Sequence, residues 1–378
     1  MGVVFPTPAK SMSSPLLKTP LNEVHRAAGA KMVDFGGWDM PVQYSGLLDE
    51  HHTVRNAVGV FDVSHMGEIE VRGPEALKLV EYVTTNAASR LAEGQAQYSA
   101  LLYSHGGFVD DILVHKVADE SYFLCVNASN QDKDFAHIAA ANKDSGFDCE
   151  VEFASPKYAQ IAVQGPKALA TAQKLTDSPL SPIRYYWFTD GTFAGVPARM
   201  ARTGYTAEDG FEIYVAPGNA AHVWNAIMDA GAEFGIKPCG LGARNTLRLE
   251  GAMALYGHEI DASIHPFEAG LAWIVKLEKG DFIGRDAIKD KRDSITRRLT
   301  GFEMRGRGIG RDGYEVAING SPAGWVTSGS PGPTVNKNIG LCYLPIEHAK
   351  PGVQIEITIR NQAVLAETVP TPFYRRAK

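Results

Sequence analysis

The sequence predicts an α+β protein of several domains, built mostly from antiparallel sheets and ending in a small β-barrel or jelly-roll-like domain. Its 378 residues suggest two or three domains, because single domains seldom grow so large. An antiparallel meander is predicted over residues 97–127, where strand-like runs alternate with short turns. Short β-like runs between Gly, Pro and Asn turns recur over residues 297–360, a pattern typical of a small barrel.

The composition is that of an ordinary globular protein, with 44% hydrophobic and 21% charged residues. The net charge of −6 argues against a surface for nucleic acid or anionic membranes. No apolar run reaches the ~18 residues of a membrane helix, and residues 1–15 lack the basic and apolar segments of a secretory signal. We therefore expect a cytoplasmic protein in which residues 1–18 form an extension.

No segment of the sequence has the spacing of a metal or nucleotide site. The four cysteines form no CxxC pair, so buried reduced thiols are expected at Cys125, Cys149, Cys239 and Cys342. Glu50-His51-His52 and His258-Glu259 do not complete an HExxH motif. The literal GxGxxG at residues 308–313 precedes a strand pattern, whereas the dinucleotide motif requires a helix there. We expect no metal, flavin or nicotinamide in the purified chain.

The first part of the chain alternates helical and strand patterns without a recognisable internal repeat. Residues 19–60 combine short helical patterns with loops, and a 3.6-residue period predicts a helix over 74–85. The meander comprises strands at 97–103, 108–117 and 121–127. Beyond it the patterns predict helices at 131–143, 167–175, 219–234 and 242–251, with strands at 158–164, 184–203 and 211–216.

A charged and polar segment at residues 280–296 has the composition of an exposed link. It divides the chain into a region spanning 19–285 and a C-terminal domain spanning 296–375. Short strands of the C-terminal domain are predicted at 297–304, 314–319, 322–327, 339–344 and 353–360. The domain boundary is therefore expected between residues 285 and 296.

Two adjacent aspartates, Asp110 and Asp111, lie inside a predicted strand, where acidic residues are normally depleted. Strand alternation directs them to opposite faces, so one of them is expected to face the interior. A buried carboxylate is costly unless it is paired or has a chemical task. The alternative is a structural aspartate that accepts hydrogen bonds from turn amides.

A third candidate, Glu212, lies between Phe211 and Ile213 and therefore faces away from both. It follows the turn signal Asp209-Gly210 at the end of the run Thr203-Gly204-Tyr205-Thr206. One carboxylate can accept both donors of a pterin, a ring N–H and the adjacent amino group. The alternative is a solvent-facing glutamate on an amphipathic strand.

Arg244 and Arg248 are four residues apart on one face of the helix predicted at 242–251. An arginine near a helix start can hold a carbonyl or carboxylate of a ligand. The alternative is surface chemistry, in which Arg248 pairs with Glu250 and Arg244 contacts Asn245. The sequence pattern alone leaves both interpretations open.

Together these segments resemble the T-protein family of the glycine cleavage system, the aminomethyltransferases, within the folate-binding T-protein superfamily. The resemblance runs from about residue 19 to residue 375. It is carried by Phe35-Gly36-Gly37-Trp38-Asp39-Met40-Pro41, by Phe61-Asp62-Val63-Ser64-His65-Met66-Gly67, and by residues 19–21, 98–99, 106–113, 126–128, 164–166, 202–206, 240–244, 247–250, 255–257, 327–329 and 372–374. The number and order of these motifs make the resemblance specific.

The resemblance implies three domains around a central folate channel, with two interleaved α+β domains in residues 19–285 and a barrel in residues 296–375. It implies tetrahydrofolate as co-substrate and, as partner, a lipoylated H-protein whose dihydrolipoyl arm carries an aminomethyl group. The products would be 5,10-methylenetetrahydrofolate, ammonia and the reduced arm. An acidic carrier would suit a basic surface, for which the candidates are Arg292, Arg297, Arg298, Arg305, Arg307 and Arg311.

The resemblance also implies roles for individual residues. Asp111 would be the catalytic carboxylate, Glu212 would hold the donor edge of the pterin, and Arg244 would bind an acceptor on folate. The other residues expected to line the folate site are Tyr98, Asn127, Tyr205 and Tyr374.

Two residues depart from the family pattern. Ala207 replaces the usual glycine, and Asn245 replaces the usual aspartate. The first substitution affects a turn, whereas the second removes a possible ion pair with Arg244.

Two other functions share this fold. One is a folate-dependent demethylase acting on a sulfonium or N-methyl donor. The other is a folate-binding iron–sulfur assembly factor without catalytic activity, which would be expected to lack part of the catalytic set. The chain keeps Asp110-Asp111, the run Thr203-Gly204-Tyr205-Thr206 and the C-terminal segment, which makes the assembly factor the least favoured of the three functions.

Overall fold

The computed structural model describes residues 15–376. In this range the helices are α1 (Asn22–Ala27), α2 (Leu47–Asn56), α3 (Ala76–Val83), α4 (Gln131–Ser145), α5 (Ala168–Gln173), α6 (Ala220–Gly231), α7 (Leu241–Glu250) and α8 (Arg285–Ile288). The strands of the N-terminal part are β1 (Lys31–Phe35), β2 (Trp38–Gln43), β3 (Gly59–Asp62), β4 (Gly67–Arg72), β5 (Gln95–Leu102), β6 (Phe108–Ala118), β7 (Ser121–Val126), β8 (Glu150–Phe153), β9 (Ala159–Gln164), β10 (Phe188–Phe193), β11 (Val196–Ala201), β12 (Gly210–Val215) and β13 (Lys237–Pro238). The C-terminal strands are β14 (Arg297–Met304), β15 (Glu315–Ile318), β16 (Ser321–Gly332), β17 (Lys337–Pro345), β18 (Gln354–Ile359) and β19 (Gln362–Val369).

The first sheet contains the predicted meander. Its strand order is β5-β6-β7-β4-β8, and every neighbouring pair is antiparallel. Helices α3 and α4 bury apolar side chains against it, among them Leu79, Val80 and Ile138. Strand β4 is not predicted by the sequence pattern, because Glu68 and Glu70 give this buried strand a polar pattern.

The second sheet has the order β10-β11-β12-β9-β3-β13. Strand β3 precedes the whole first sheet along the chain, so the chain enters the second sheet, builds the first and then returns. Phe211 and Ile213 of β12 pack into a core that also contains Trp224 of α6. The intervening Glu212 is thereby directed to the opposite face, as strand alternation predicts.

The two sheets repeat one topology, although the sequence shows no clear repeat. Each unit runs strand, helix, three strands and helix, and the three-strand meander pairs with the first strand through its last member. In each unit a Gly-Pro pair follows the first strand, and the glycines, Gly73 and Gly165, have similar φ angles of +132° and +128°. Only glycine tolerates this backbone readily, which explains why the Gly-Pro pair is shared.

The C-terminal strands close into the barrel β14-β17-β16-β15-β18-β19. This confirms the predicted C-terminal barrel. Strand β19, which was not predicted, pairs with both β14 and β18 and so completes the ring. The barrel encloses a core of its own that includes Phe302, Val326 and Ile357.

Two local expectations differ from the structure. Residues 31–43, expected as helix and loop, form the hairpin β1–β2, in which Gly36 and Gly37 adopt the positive φ angles of a tight two-residue turn. The segment 280–296, expected as an exposed link, contains α8. Ile288 of α8 is fully buried, and Phe282 is 2% exposed. These two apolar side chains anchor the link to the core beneath it.

Candidate functional site

A cavity of about 1110 Å³ lies where the two sheets, α7 and the barrel meet. Strands β6 and β12 contribute from the two sheets, while Arg298 and Leu299 contribute from the barrel. Six of the seven residues expected to form the site line this cavity. They are Tyr98, Asp111, Asn127, Tyr205, Glu212 and Arg244.

The two adjacent aspartates differ in exposure, although both carboxylates reach the same amide. Asp110 is fully buried, whereas Asp111 is half-buried and lines the cavity. Oδ2 of Asp111 accepts a 2.8 Å hydrogen bond from the Tyr98 hydroxyl, and its Oδ1 accepts a 2.7 Å bond from Nδ2 of Asn127. Asn127 Nδ2 also lies 2.9 Å from Oδ1 of Asp110. One amide therefore links the cavity carboxylate to the buried one.

The environment of Asp111 makes its protonation sensitive to conditions near neutrality. Burial, and then the charge of Asp110, raise the pKa of Asp111 to about 7, although the hydrogen bonds from Tyr98 and Asn127 oppose the shift. A carboxyl group with such a pKa exists in both forms near neutral pH. It can therefore accept a proton or stabilise a nearby positive charge.

Glu212 presents a carboxylate to the cavity on the other side. Its Oε1 accepts a 2.9 Å bond from Nε2 of Gln160, and its Oε2 accepts a 2.5 Å bond from the Thr203 hydroxyl. Burial raises the pKa of Glu212, whereas the Thr203 bond and the Arg244 charge lower it. The residue is 6% exposed, so the solvent-facing alternative considered from the sequence is wrong.

The loop that carries Thr203 is shaped around one side chain. Gln164 Nε2 donates to the Thr203 carbonyl, and Gln164 Oε1 accepts from the Thr206 hydroxyl. A Cβ atom on Gly204 would lie 2.0 Å from Gln164 Oε1, and one on Gly210 would lie 2.4 Å from its Nε2. Both positions therefore require glycine, which explains this part of the sequence motif.

Arg244 and Arg248 have different environments on α7. The Arg244 guanidinium lies 4.7 Å from the centre of the Tyr205 ring, and no hydrogen-bond acceptor in residues 15–376 contacts it. It is thus available to a ligand oxygen in the cavity. Arg248 is 2% exposed and pairs with Glu259 at 2.8 Å, so the surface pairing considered for it is wrong. Asn245 accepts from Arg248 rather than contacting the Arg244 side chain.

Aromatic side chains form another wall of the cavity. The rings of Tyr98 and Trp273 have centres 5.7 Å apart and planes inclined by 30°. Trp273 is 53% exposed, although it belongs to the cavity lining. Tyr185 and Tyr186 line the cavity as well. Aromatic faces of this kind can hold a planar ring by stacking.

Tyr374 does not line the cavity, so the structure does not bring it together with the other expected site residues. Its ring centre lies 4.0 Å from the Arg55 guanidinium carbon, and its backbone N–H donates to the Glu250 carbonyl at 2.9 Å. Arg55 also pairs with Glu208 and Glu250. Tyr374 thereby fastens the C-terminal segment to a buried ionic cluster.

Several residues that line the cavity were not predicted from the sequence, among them His65, Tyr185 and Trp273. His65 is 2% exposed, and the charge of Arg244 adds to burial in lowering the His65 pKa to about 4, so this ring is neutral. His65 lies in the segment 61–67 that carries the family resemblance, so the sequence did offer a reason to expect it in the site. Trp273 and Tyr185 carried no such signal, because single aromatic residues in loops are common.

The site offers no metal centre within the described chain. No group of three His, Cys, Asp or Glu side chains in residues 15–376 has the geometry to hold a metal ion. The four cysteines are free, and three of them are buried. The side chains that the cavity presents include carboxylates, an arginine and aromatic rings.

Among the helices of residues 15–376, none is long and apolar enough to span a bilayer.

Comparison with known proteins identifies two family models along the chain. The model of the GCVT N-terminal domain matches residues 21–279. The model of the glycine cleavage T-protein C-terminal barrel domain matches residues 297–375. The two models together cover most of the chain in the order that the fold shows.

Individual relatives give the same result. The chain is 54% identical to an aminomethyltransferase of Koribacter versatilis, covering 96% of this chain and 97% of that one. It is also 54% identical to an aminomethyltransferase of Acidobacterium capsulatum, covering 97% and 99%. The crystal structure of glycine cleavage system aminomethyltransferase T from Bartonella henselae superposes with a TM-score of 0.89 at 32% identity, covering 96% of this chain and all of that one. The chain belongs to the glycine cleavage T-protein family, the aminomethyltransferases.

Proposed function

We propose that this enzyme transfers the one-carbon unit from an S-aminomethyl-dihydrolipoyl arm of the H-protein to tetrahydrofolate. The carbon would lose its bonds to sulfur and to nitrogen and gain bonds to two folate nitrogens. The two N–H protons of folate would end on ammonia and on the released thiol. The products would be 5,10-methylenetetrahydrofolate, ammonia and dihydrolipoyl H-protein.

The observation that carries this proposal is the placement of Asp111 in a cavity that also presents Glu212 and Arg244. Glu212 offers acceptors for the paired donors of a pterin. Arg244 offers donors for a carbonyl or carboxylate, and Tyr98 and Trp273 offer faces for planar rings. Glu212 thus complements the pterin edge of folate, and Arg244 complements a carbonyl or carboxylate elsewhere in the molecule.

Asp111 would supply the electrostatic part of catalysis. Departure of ammonia or thiolate leaves a cationic, iminium-like carbon, which an ionised carboxylate stabilises. The same carboxylate can take the proton that a folate nitrogen loses as it attacks. Tyr98 and Asn127 hold the two carboxylate oxygens, so the charge is positioned before the substrates arrive. Alignment of nitrogen and carbon would supply much of the remaining acceleration.

The H-protein would dock near the barrel side of the cavity mouth. Of the arginines proposed for an acidic carrier, Arg297 is paired with Glu268, and Arg305 with Glu303 and Glu367. Arg298, by contrast, is exposed, lines the cavity and has no acidic partner within residues 15–376. We therefore place the carrier contact at Arg298. The four free cysteines suit the reducing cytoplasm, where we propose that the enzyme works.

Turnover with different donors tests this proposal. Purified enzyme with tetrahydrofolate should release ammonia and methylenetetrahydrofolate from aminomethylated H-protein. It should not use sulfonium or N-methyl donors at a comparable rate. Faster turnover of a sulfonium or N-methyl donor would make the protein a demethylase. Folate binding without turnover of any of these donors would make it a binding protein.

A further inference from the structure

Behind the cavity lies a second carboxyl group, which the chemistry described above does not use. Asp134, on the first turn of α4, is fully buried. Within residues 15–376 neither of its side-chain oxygens accepts a hydrogen bond from an N–H or O–H donor. The Asp134 carboxyl instead lies within hydrogen-bonding reach of another buried acid, the carboxyl of Asp110.

Asp110 has the opposite environment, although it is equally buried. Its Oδ2 accepts a 2.9 Å bond from the Asn127 backbone N–H. Its Oδ1 accepts bonds of 2.9 Å and 2.6 Å from the side-chain amides of Asn127 and Asn130. Three N–H donors favour the negatively charged form of a carboxyl group.

Two touching carboxyl groups in a water-poor site cannot both be ionised without a large energetic penalty. One proton between them removes the repulsion and converts it into a short hydrogen bond. Since Asp110 is the group that receives N–H donors, the proton belongs on Asp134. Asp134 then donates to Asp110 through one of its oxygens and no longer carries an uncompensated buried charge.

The surrounding charges agree with this assignment. Lys133, the neighbouring cation, directs its Nζ to the Tyr256 hydroxyl at 3.0 Å and lies 4.1 Å from the centre of that ring. Burial, followed by the charge of Asp110 and the contact with its carboxyl, raises the pKa of Asp134 to about 11, although the charge of Lys133 opposes the shift. Burial lowers the pKa of His137 on the same helix, which keeps that ring neutral.

We propose that Asp134 is a protonated positioning residue, which donates to Asp110 and thereby fixes Asn127 against the catalytic carboxylate of Asp111. The inference rests on the proposed function of Asp111. Asp134 is coupled to Asp111 through three contacts, which join Asp134 to Asp110, Asp110 to Asn127 and Asn127 to Asp111. Without the proton, repulsion between the two buried acids would pull Asp110 away from Asn127, and Asp111 would lose one of its two holding bonds.

The most direct experiment detects the proton itself. Infrared difference spectra with carboxyl-labelled aspartate would be recorded at about pH 9, above the pKa of Asp111 and below that of Asp134. The carbonyl stretch of a protonated carboxylic acid should be present in the wild type and absent from Asp134→Asn. The control Asp132→Asn, an exposed position on the same helix, should keep the band. Absence of the band from the wild type would overturn the proposal.

Kinetics provide a second readout. Asp134→Asn keeps a neutral donor toward Asp110, so its kcat should stay within about threefold of the wild type. Asp134→Leu has a similar size but no donor, and should lose about tenfold in kcat. Equal kcat for Asp134→Leu and the wild type, or an equal loss in both variants, would contradict the positioning role. If Asp134→Leu fails to fold, the infrared band decides. If the wild type transfers no aminomethyl group, the proposed function fails while the band still tests Asp134.

Discussion

The Tyr98 hydroxyl donates a 2.8 Å hydrogen bond to Oδ2 of Asp111, from the strand adjacent to it in the first sheet. This bond lowers the pKa of Asp111, in opposition to the burial that raises it. Tyr98 thus has two functions in the proposed site. Its hydroxyl holds the carboxylate, and its ring forms part of the aromatic wall with Trp273.

Tyr98→Phe separates these two functions, because it removes the hydroxyl and keeps the ring. A hydrogen bond to a charged group contributes about 1.5 to 3 kcal/mol, so we expect a loss of at least tenfold in kcat at neutral pH. The affinity for folate should change little. Steady-state kinetics and calorimetry would measure the two effects. Tyr82→Phe, whose side chain packs against Phe147 away from the cavity lining, is the matched control.

Glu212→Gln should weaken folate binding more than it changes the stability of the free protein. A glutamine at this position turns one acceptor into a donor, which opposes either the Thr203 hydroxyl, the Gln160 amide or the pterin. The expected loss corresponds to about 1.5 to 3 kcal/mol of binding free energy. Since burial raises the pKa of Glu212, the fold gains little from its charge, and stability should fall by less than the binding free energy does. Calorimetry would compare it with Glu315→Gln on an exposed strand position; equal affinities would remove Glu212 from the binding site.

The pH profile should report the ionisation of Asp111. Because burial and Asp110 raise its pKa to about 7, the ionised form increases as pH rises through that value. The ratio kcat/KM should therefore fall below about pH 7 and level off above it. In Tyr98→Phe the midpoint should move upward, since a stabilising bond to the charged form is lost. A wild-type profile without a limb in this range would show that another group limits the reaction.

Salt should slow the reaction with intact H-protein more than the reaction with a free dihydrolipoamide-borne donor. Only the protein pair would depend on charge steering, which salt screens beyond ~8 Å at physiological strength. Arg298→Gln should reduce this difference, whereas Arg360→Gln, the same charge change at the exposed turn between β18 and β19, should not. Equal salt dependence for the two donors would exclude electrostatic docking.

The sequence was most informative where local patterns determine direction. Alternation along β12 predicts that Glu212 faces away from Phe211 and Ile213, and in the structure Glu212 lines the cavity while the other two pack in a core. Along β6 alternation predicts that one of the two aspartates faces the interior, and Asp110 is fully buried whereas Asp111 lines the cavity. Strand β4 was missed because its buried glutamates give it a polar pattern, and β1–β2 because a short hairpin resembles a loop. The shared topology of the two sheets was not predicted, because the feature that the two units share in sequence is a single Gly-Pro pair.

Local sequence patterns do not predict contacts between segments that are far apart along the chain. Tyr374 was expected in the cavity, but its partner Arg55 is on α2, and nothing near either residue predicts that contact. The contact between Asp134 and Asp110 could not be predicted for the same reason, because it joins helix α4 to strand β6. Ala207 is a partial exception. The resemblance predicts a glycine at this position, and Ala207 adopts a φ of +60°, the conformation for which glycine is preferred.

The central claim is that the charge of Asp111 drives the transfer, and Asp111→Asn tests it most directly. The change is nearly isosteric, and both Tyr98 and Asn127 can remain in place. Single-turnover rates with aminomethylated H-protein and tetrahydrofolate would be measured for the wild type, Asp111→Asn and the exposed control Asp144→Asn. Calorimetry would confirm that each variant binds folate. We predict a loss of ~10²- to 10³-fold for Asp111→Asn alone, whereas a rate within a few-fold of the wild type would contradict the role assigned to this carboxylate.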